Sequence, residues 1–331
     1  MPVNRQIVLD SRPADKVSPA NFRLVETPLP TLYDGYILVR QHYLSLDPYM
    51  RGRLSEAKSY ARPQEVGAVM GGGTVGEVIE SNRDDFAVGD FVVGPGGWQD
   101  YAMADGMGWR KIDVSRVPAS AYLGVVGMPG VTAWYGLNEI LKPEAGQTVV
   151  VSAASGAVGG VVGQLAKLKG AKVIGIAGGY EKCAYVRDEL GFDACIDHKS
   201  ERFAGELSAS LQEGIDGLFE NVGGPSFLNC LSHLNDFARV AVCGLIASYE
   251  GEKTSLPDMR IFLVRRIKVE GFIVSDHPKI WPQALAEIGG LVASGRLKYR
   301  ETVRQGLDSA PQALVDLLRG GNFGKMVVKL V

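Results

Sequence analysis

Residues Thr148–Gly170 read TVVVSAASGAVGGVVGQLAKLKG, a β-branched run, a glycine turn and an apolar helical pattern in immediate succession. Val149, Val150 and Val151 suit a parallel strand covered on both faces, since nothing polar interrupts them and branched side chains pack well on a pleated surface. The helix is expected to start near Ala157. Ala154, Gly156 and Gly159 stand at the spacing of a G-x-G-x-x-G fingerprint, with alanine in place of the first glycine. In such a turn Gly156 lets backbone approach a pyrophosphate and Gly159 lets the helix pack close to the strand. Free N–H groups and the positive end of the helix dipole then face the phosphates. The plain alternative is a tight strand-to-helix turn, but a second strand follows the helix, as a dinucleotide-binding βαβ unit requires.

That second strand, Lys172–Ile176, ends in A-G-G-Y-E-K. An NAD site usually places an acid there, roughly 20 residues beyond the glycines, to bond the ribose 2′-hydroxyl. Ala177, Gly178 and Gly179 occupy the position instead, and Lys182 follows. A lysine beside an acid-free strand end suits a doubly charged 2′-phosphate. The cofactor is therefore expected to be NADP(H) rather than NAD. A solvated lysine at a helix start is the competing reading of Lys182, and Glu181 lies past the strand end.

At 331 residues the chain is long for one core, and two domains are expected. Hydrophobic residues make up 46% and charged residues 22%, the balance of an ordinary globular protein. A net charge of −2 gives no basic footprint for nucleic acid and no polybasic membrane patch. Apolar stretches are too short for a membrane span, and the opening MPVNRQIVL lacks a signal-peptide core. Cys183, Cys195, Cys230 and Cys243 are widely separated and fit a reduced, cytoplasmic setting. Cys195 and Cys243 fall in expected strands, as buried thiols.

Strand-like runs at Gln6–Leu9, Gly35–Leu44, Gly73–Ile79 and Phe91–Gly94, split by proline and glycine, predict a mostly antiparallel β domain in the first third. From about Pro118 helices and strands alternate. A helix is expected over Val131–Ile140, and strands near 149, 172, 194, 215, 239 and 268 predict a doubly wound parallel sheet. From about Leu297 a short strand, a helix over Ala310–Arg319 and a strand over Lys325–Leu330 are expected to rejoin the first domain, with a cleft between the two domains.

The chain resembles the medium-chain dehydrogenase/reductase superfamily from end to end, and within it the zinc-free branch of prostaglandin reductase (leukotriene B4 12-hydroxydehydrogenase), 2-alkenal double-bond reductases and curcumin reductases. The resemblance rests on YLSLDPYMRG from Tyr43, GMPGVTAWYGL from Gly127 and AASGAVGGVVGQLAKLKG from Ala153. FENVGG from Phe219, GFIVSD from Gly271 and GNFGKMVV from Gly321 complete it. It implies an α/β chain: a GroES-like β-barrel catalytic domain from residues 1–120 and 297–331, and a Rossmann NADP-binding domain from 121–296. It implies an oxidoreductase acting on a CH–CH group, in which NADPH gives a hydride to the β-carbon of an α,β-unsaturated aldehyde or ketone. A homodimer is implied as well.

By matching position, the resemblance implies that Ala154, Gly156, Ala157, Val158 and Gly159 hold the pyrophosphate and Lys182 the 2′-phosphate. Asn221, Cys243 and the segment Phe272, Ile273, Val274 would sit by the cofactor, and Asn322 would close over the phosphates. Many members carry tyrosine where His198 stands in D-H-K-S, so His198 is either a phosphate contact or a loop histidine. Ser275 replaces a tyrosine of the animal prostaglandin reductases, which sets this chain with the plant and bacterial enzymes.

Hydride addition to an enone develops negative charge on the carbonyl oxygen, and a preorganised donor there is worth about 2.7–4 kcal/mol. The resemblance makes Tyr49 the first candidate, since the matching tyrosine lines the substrate cleft, and Tyr249 the second. The alternative for each is simple packing. Arg51 reads as a solvated loop arginine before a ligand contact, and Trp98 and Met128 as cleft lining or core. Zinc relatives use a Cys, a His-Glu pair and a further Cys or Glu. The first domain here has no cysteine and one histidine, His42, so a tetrahedral zinc site lacks its ligands. A quinone reductase of the sister branch, or a nonenzymatic NADPH-binding protein, are the competing functions.

Overall fold

The computed structural model describes residues 3–249 and 257–331. It divides into two compact units, Met1–Gly124 with Glu301–Val331, and Val125–Arg300.

The first unit opens with β1 (Val3–Leu9), which pairs antiparallel with β2 (Phe22–Pro28). There follow β3 (Ile37–Ser45), β4 (Thr74–Ser81), β5 (Phe91–Gly94), β6 (Tyr101–Ala104) and β7 (Arg110–Lys111). The second unit carries β8 (Thr148–Ser152), β9 (Lys172–Ala177), β10 (Ala194–Asp197), β11 (Ile215–Glu220), β12 (Leu234–Val242) and β13 (Lys268–Gly271). The chain then returns to the first unit with β14 (Glu301–Gln305), a helix at Ala310–Leu318 and β15 (Lys325–Lys329). β4 takes one edge of β3 along its length. β6 and β15 divide the other edge, β6 at residues 37–40 and β15 at 43–45. Thus β15, near the chain's end, is hydrogen-bonded into the middle of a sheet built from the beginning.

The expected strands are present in the first unit. β2, β6 and β7 escape a sequence reading for physical reasons: β2 mixes charge into F-R-L-V-E-T-P and is largely exposed, and β6 is half alanine, a weak strand former.

In the second unit all six expected strands form one parallel sheet in the order β10-β9-β8-β11-β12-β13. Counted from its own first strand this is 3-2-1-4-5-6, the doubly wound arrangement whose order reverses between the first and fourth strands. Val149, Val150 and Val151 are fully buried there, as a strand covered on both faces must be. The helix expected over 131–140 spans Met128–Tyr135 and widens into a π-type turn over Gly136–Leu141. It stops at Lys142, which turns left-handed at φ 47° ahead of Pro143, because a residue before proline avoids the helical region.

Candidate cofactor and substrate site

β8 leaves the sheet through Ala153, whose φ of 49° is a left-handed conformation that glycine alone adopts freely. Gly156 N–H then donates to Ala153 O at 2.9 Å, and Gly160 N–H to Gly156 O at 3.1 Å, so helical winding begins inside the turn. The regular helix runs Gly159–Leu168, two residues later than expected. A Cβ on Gly159 would stand 2.5 Å from Ala153 O and 3.0 Å from the Ala154 Cα; only glycine lets the helix close on the turn. Ala154, the departure from the glycine pattern, is wholly buried and is accommodated by its neighbour: a Cβ on Gly175 of β9 would lie 2.8 Å from the Ala154 Cβ. Ala157 and Val158 form the last part of the turn, with Val158 O accepting from Val161 and Val162 N–H.

At the end of β9 the backbone passes Gly178 and Gly179 into a short helix, Tyr180–Ala184, which carries Lys182. His198 and Lys199 fold over the same place, since a Cβ on Gly178 would lie 2.7 Å from His198 Nε2 and 3.1 Å from Lys199 Cε. Burial lowers the Lys182 pKa, and the nearby Lys199 charge lowers it further. Burial likewise lowers His198; Asp197 opposes the shift, while Lys199 and Lys182 add to it. The Asp197 carboxylate is held by Gly179 N–H at 2.8 Å and Lys199 N–H at 2.9 Å, and its pKa is lowered despite its burial. Three basic side chains therefore meet at a strand end with no acid on the strand itself. Lys182 and His198 are two of the residues singled out in the sequence, and Lys199, one residue further along from His198, joins them here.

The ends of β8 and β11 are tied together where the strand order reverses. Ser152 Oγ donates to Glu220 Oε1 at 2.9 Å and accepts from Asn221 N–H at 2.8 Å, while Asn221 Nδ2 donates to Ser152 O at 2.8 Å. Glu220 Oε1 also accepts from Val222 N–H at 2.5 Å and Gly223 N–H at 2.7 Å. Glu220 is 1% exposed and its Oε2 has no hydrogen-bond partner. Burial raises its pKa against these donors. Asn221, expected beside the cofactor, thus spends its amide nitrogen on bracing this junction. Glu220 and Ser152 were not singled out from sequence; the signal was the acid opening E-N-V-G-G.

Cys243 lies one residue past β12, not within it, with its N–H on Glu220 O at 2.8 Å. Burial and the Glu220 charge push its thiol up to about 12. Phe272 and Val274 are buried just beyond β13, with Ile273 half-buried between them. Phe272 packs on Tyr135 and, edge-on, on Phe219 at ring distances of 5.3 and 6.2 Å. Tyr249 folds back on its own loop: its oxygen takes a backbone hydrogen bond from Leu245, and burial raises its pKa. All these groups in the second unit come from the carboxyl ends of parallel strands, where doubly wound sheets bind their ligands.

In the first unit, Tyr49 precedes the short helix Met50–Arg53 and packs against a core that includes Leu44, Leu46, Met50 and Trp98. Burial raises its pKa well above the phenol range, and the Asp47 charge raises it further, so its hydroxyl keeps its proton. Trp98 is fully buried and stacked on Phe22 at 5.4 Å, a core role. Arg51 donates to Asp15 O at 2.9 Å, and Met128 is 36% exposed at its helix start. Asn322 sits in the loop before β15 with Nδ2 on Gly324 O at 2.7 Å. Among the described residues no group of three or more His, Cys, Asp or Glu could hold a metal ion, and no helix is long and apolar enough to cross a membrane.

Comparison with known proteins places this geometry. A family model described as the N-terminal domain of oxidoreductase matches residues 5–112, and one described as zinc-binding dehydrogenase matches residues 157–289. The NADPH-dependent curcumin reductase of Escherichia coli is 46% identical, over 99% of this chain and 97% of that protein. The NADP(+)-dependent 2-alkenal reductase of Nicotiana tabacum is 41% identical, over 88% of this chain and 86% of that protein. CurA of Vibrio vulnificus, solved in complex with NADPH, superposes with a TM-score of 0.95 at 48% identity, covering 99% of both chains. A glycine turn on a 3-2-1-4-5-6 sheet, an antiparallel β unit drawn from both chain ends and whole-length identity above two-fifths lead to one conclusion: the chain belongs to the medium-chain dehydrogenase/reductase superfamily, in the branch that holds curcumin, prostaglandin and 2-alkenal reductases.

Proposed function

We propose that this chain uses NADPH to reduce the carbon–carbon double bond of α,β-unsaturated aldehydes and ketones, without a metal. The observation that carries the reading is similarity over the whole length to an NADPH-dependent curcumin reductase and to CurA solved with NADPH, with Tyr49, a half-buried phenol that keeps its proton, as the donor.

The second unit fits the cofactor. Gly159 lets the helix close on the turn, and the helix Gly159–Leu168 presents N–H groups and a positive dipole end to a pyrophosphate. Lys182, His198 and Lys199 answer the charge of a 2′-phosphate, and an anion there relieves their mutual repulsion. Asn221, Cys243 and Phe272–Val274 line the nicotinamide side, and Asn322 is a further cofactor contact by its matching position in the family. When bound, NADPH supplies a hydride to the substrate β-carbon. Tyr49 donates its O–H to the substrate carbonyl oxygen and stabilises the enolate as charge builds there. Tyr249 is the second donor.

The four cysteines are free thiols, which supports a cytoplasmic location. The outer edge of β13 and the exposed Met259, Leu263 and Val264 near it support a homodimer formed through that edge.

NADPH oxidation measured against a panel of 2-alkenals, arylalkyl enones and quinones tests the reading. Turnover of alkenals and enones is expected. Turnover of quinones alone would reassign the chain to the quinone reductases, and tight NADPH binding with no turnover of any acceptor would make it a nonenzymatic NADPH-binding protein.

A further inference from the structure

Lys325, the first residue of β15, is 4% exposed and lies 3.1 Å from Asp47 Oδ1, itself on a residue only 6% exposed. Its ammonium also donates to Leu46 O and, at 3.0 Å, to Met326 O, so its three N–H groups are all engaged. The second Asp47 oxygen accepts from the Ser45 hydroxyl. Leu46 N–H returns a hydrogen bond to Met326 O at 3.2 Å, and Asp47 O receives Met50 N–H at 3.1 Å to open the short helix after Tyr49. Glu301 is the other charged group near Lys325; burial raises its pKa.

Burying two ions costs several kcal/mol each, and apolar replacements of such pairs are often as stable. Stability is therefore a weak reason for this pair. Its contacts fall instead on Ser45, Leu46 and Asp47, the end of β3 and the turn that leads into Tyr49, where strand pairing gives out after the Leu46 N–H bond to Met326 O. We infer that Asp47 and Lys325 are positioning residues for Tyr49: the ammonium from the chain's end pins the S-L-D-P-Y turn, and so sets where the phenol stands. The inference rests on the proposed role of Tyr49. The charge that raises the phenol pKa is the same Asp47 carboxylate.

The test is the double replacement Asp47→Asn/Lys325→Met, which removes both charges together, in the full-length protein with and without Tyr49→Phe. Asp47→Asn alone serves as a second variant that keeps an acceptor for Ser45. The protein is labelled with 3-fluorotyrosine, and the Tyr49 resonance among the twelve tyrosines is assigned by its loss in Tyr49→Phe. In the absence of cofactor the double variant should shift or broaden that resonance. With NADPH and an enone it should lose roughly tenfold to a hundredfold in kcat, the scale of a small misplacement, with KM for NADPH little changed. In the Tyr49→Phe background the same replacement should have no further effect on kcat. An unmoved Tyr49 resonance, or an equal loss of kcat in both backgrounds, would overturn the inference. A moved resonance together with full activity of Tyr49→Phe alone would uphold the positioning and defeat the donor role of Tyr49.

Discussion

Lys182 shares its strand end with Lys199 and His198, so cationic charge is concentrated where the proposed 2′-phosphate, the feature that separates NADPH from NADH, would sit. Replacing Lys182 by alanine should weaken NADPH by about 1.5–3 kcal/mol, the scale of a charged hydrogen bond, and leave NADH unchanged; titration by fluorescence reads both, and equal losses would remove the residue from the 2′-phosphate. Tyr49→Phe should lower kcat on enones by roughly the worth of one oxyanion donor, a hundredfold or more. Because burial holds the Tyr49 pKa above the phenol range, activity should show no loss through about pH 10, where an ordinary tyrosine ionises. A fall in kcat centred there would mean the phenol is not so protected. Lys182 was legible because its type and its distance from the glycines both carry meaning. The Ser152–Glu220 bond, which spans 68 residues of sequence, was not. No local pattern announces a contact made only when two strand ends lie side by side.

The strand-to-helix turn and the junction beside it behave as single elements. A methyl on Gly159 meets backbone atoms that cannot rotate away, so Gly159→Ala should push the helix off the turn, lower Tm and weaken NADPH at least about tenfold; calorimetry and binding unaffected by the change would show that the helix does not depend on that approach. At the neighbouring junction the Glu220 pKa is raised in the folded protein. Above the unfolded value of roughly 4.3 the folded state still holds a proton that the unfolded chain has released. Glu220 therefore contributes most below that value, and its contribution falls as pH rises through the raised folded pKa. Glu220→Gln keeps an acceptor for the three donors on Oε1 and cannot ionise. Urea unfolding should find the variant gaining on its parent as pH rises above the unfolded carboxyl value of about 4.3; a constant difference would show that Glu220 titrates normally. The glycine turn was readable from its residues, and the helix began only two residues later than expected, since winding starts within the turn. The end of the preceding helix was readable as well, Ile140 expected against Leu141 found, but its widening over Gly136–Leu141 was not.

At the scale of the whole chain, six strands spaced by helices were enough to foresee a doubly wound sheet, because right-handed crossovers leave few orders open. The β unit was harder. Its strands pair mostly antiparallel, but β14 and β15 pair parallel and β15 enters beside β3 from the far end of the chain, so its sheet order cannot be read from local alternation. The proposed dimer belongs to this scale too: light scattering should give twice the chain mass, and replacing Leu263 and Val264, 79% and 64% exposed, by lysine should yield monomers. A parent that is already monomeric would leave the edge of β13 unused. The central claim is that hydride reaches the β-carbon of an enone and the carbonyl survives. Incubation with NADPH deuterated at the transferring position and a 2-alkenal, with the product read by NMR, tests it directly. A saturated aldehyde carrying deuterium on its β-carbon is expected; an allylic alcohol with deuterium on the former carbonyl carbon would overturn the proposed reaction.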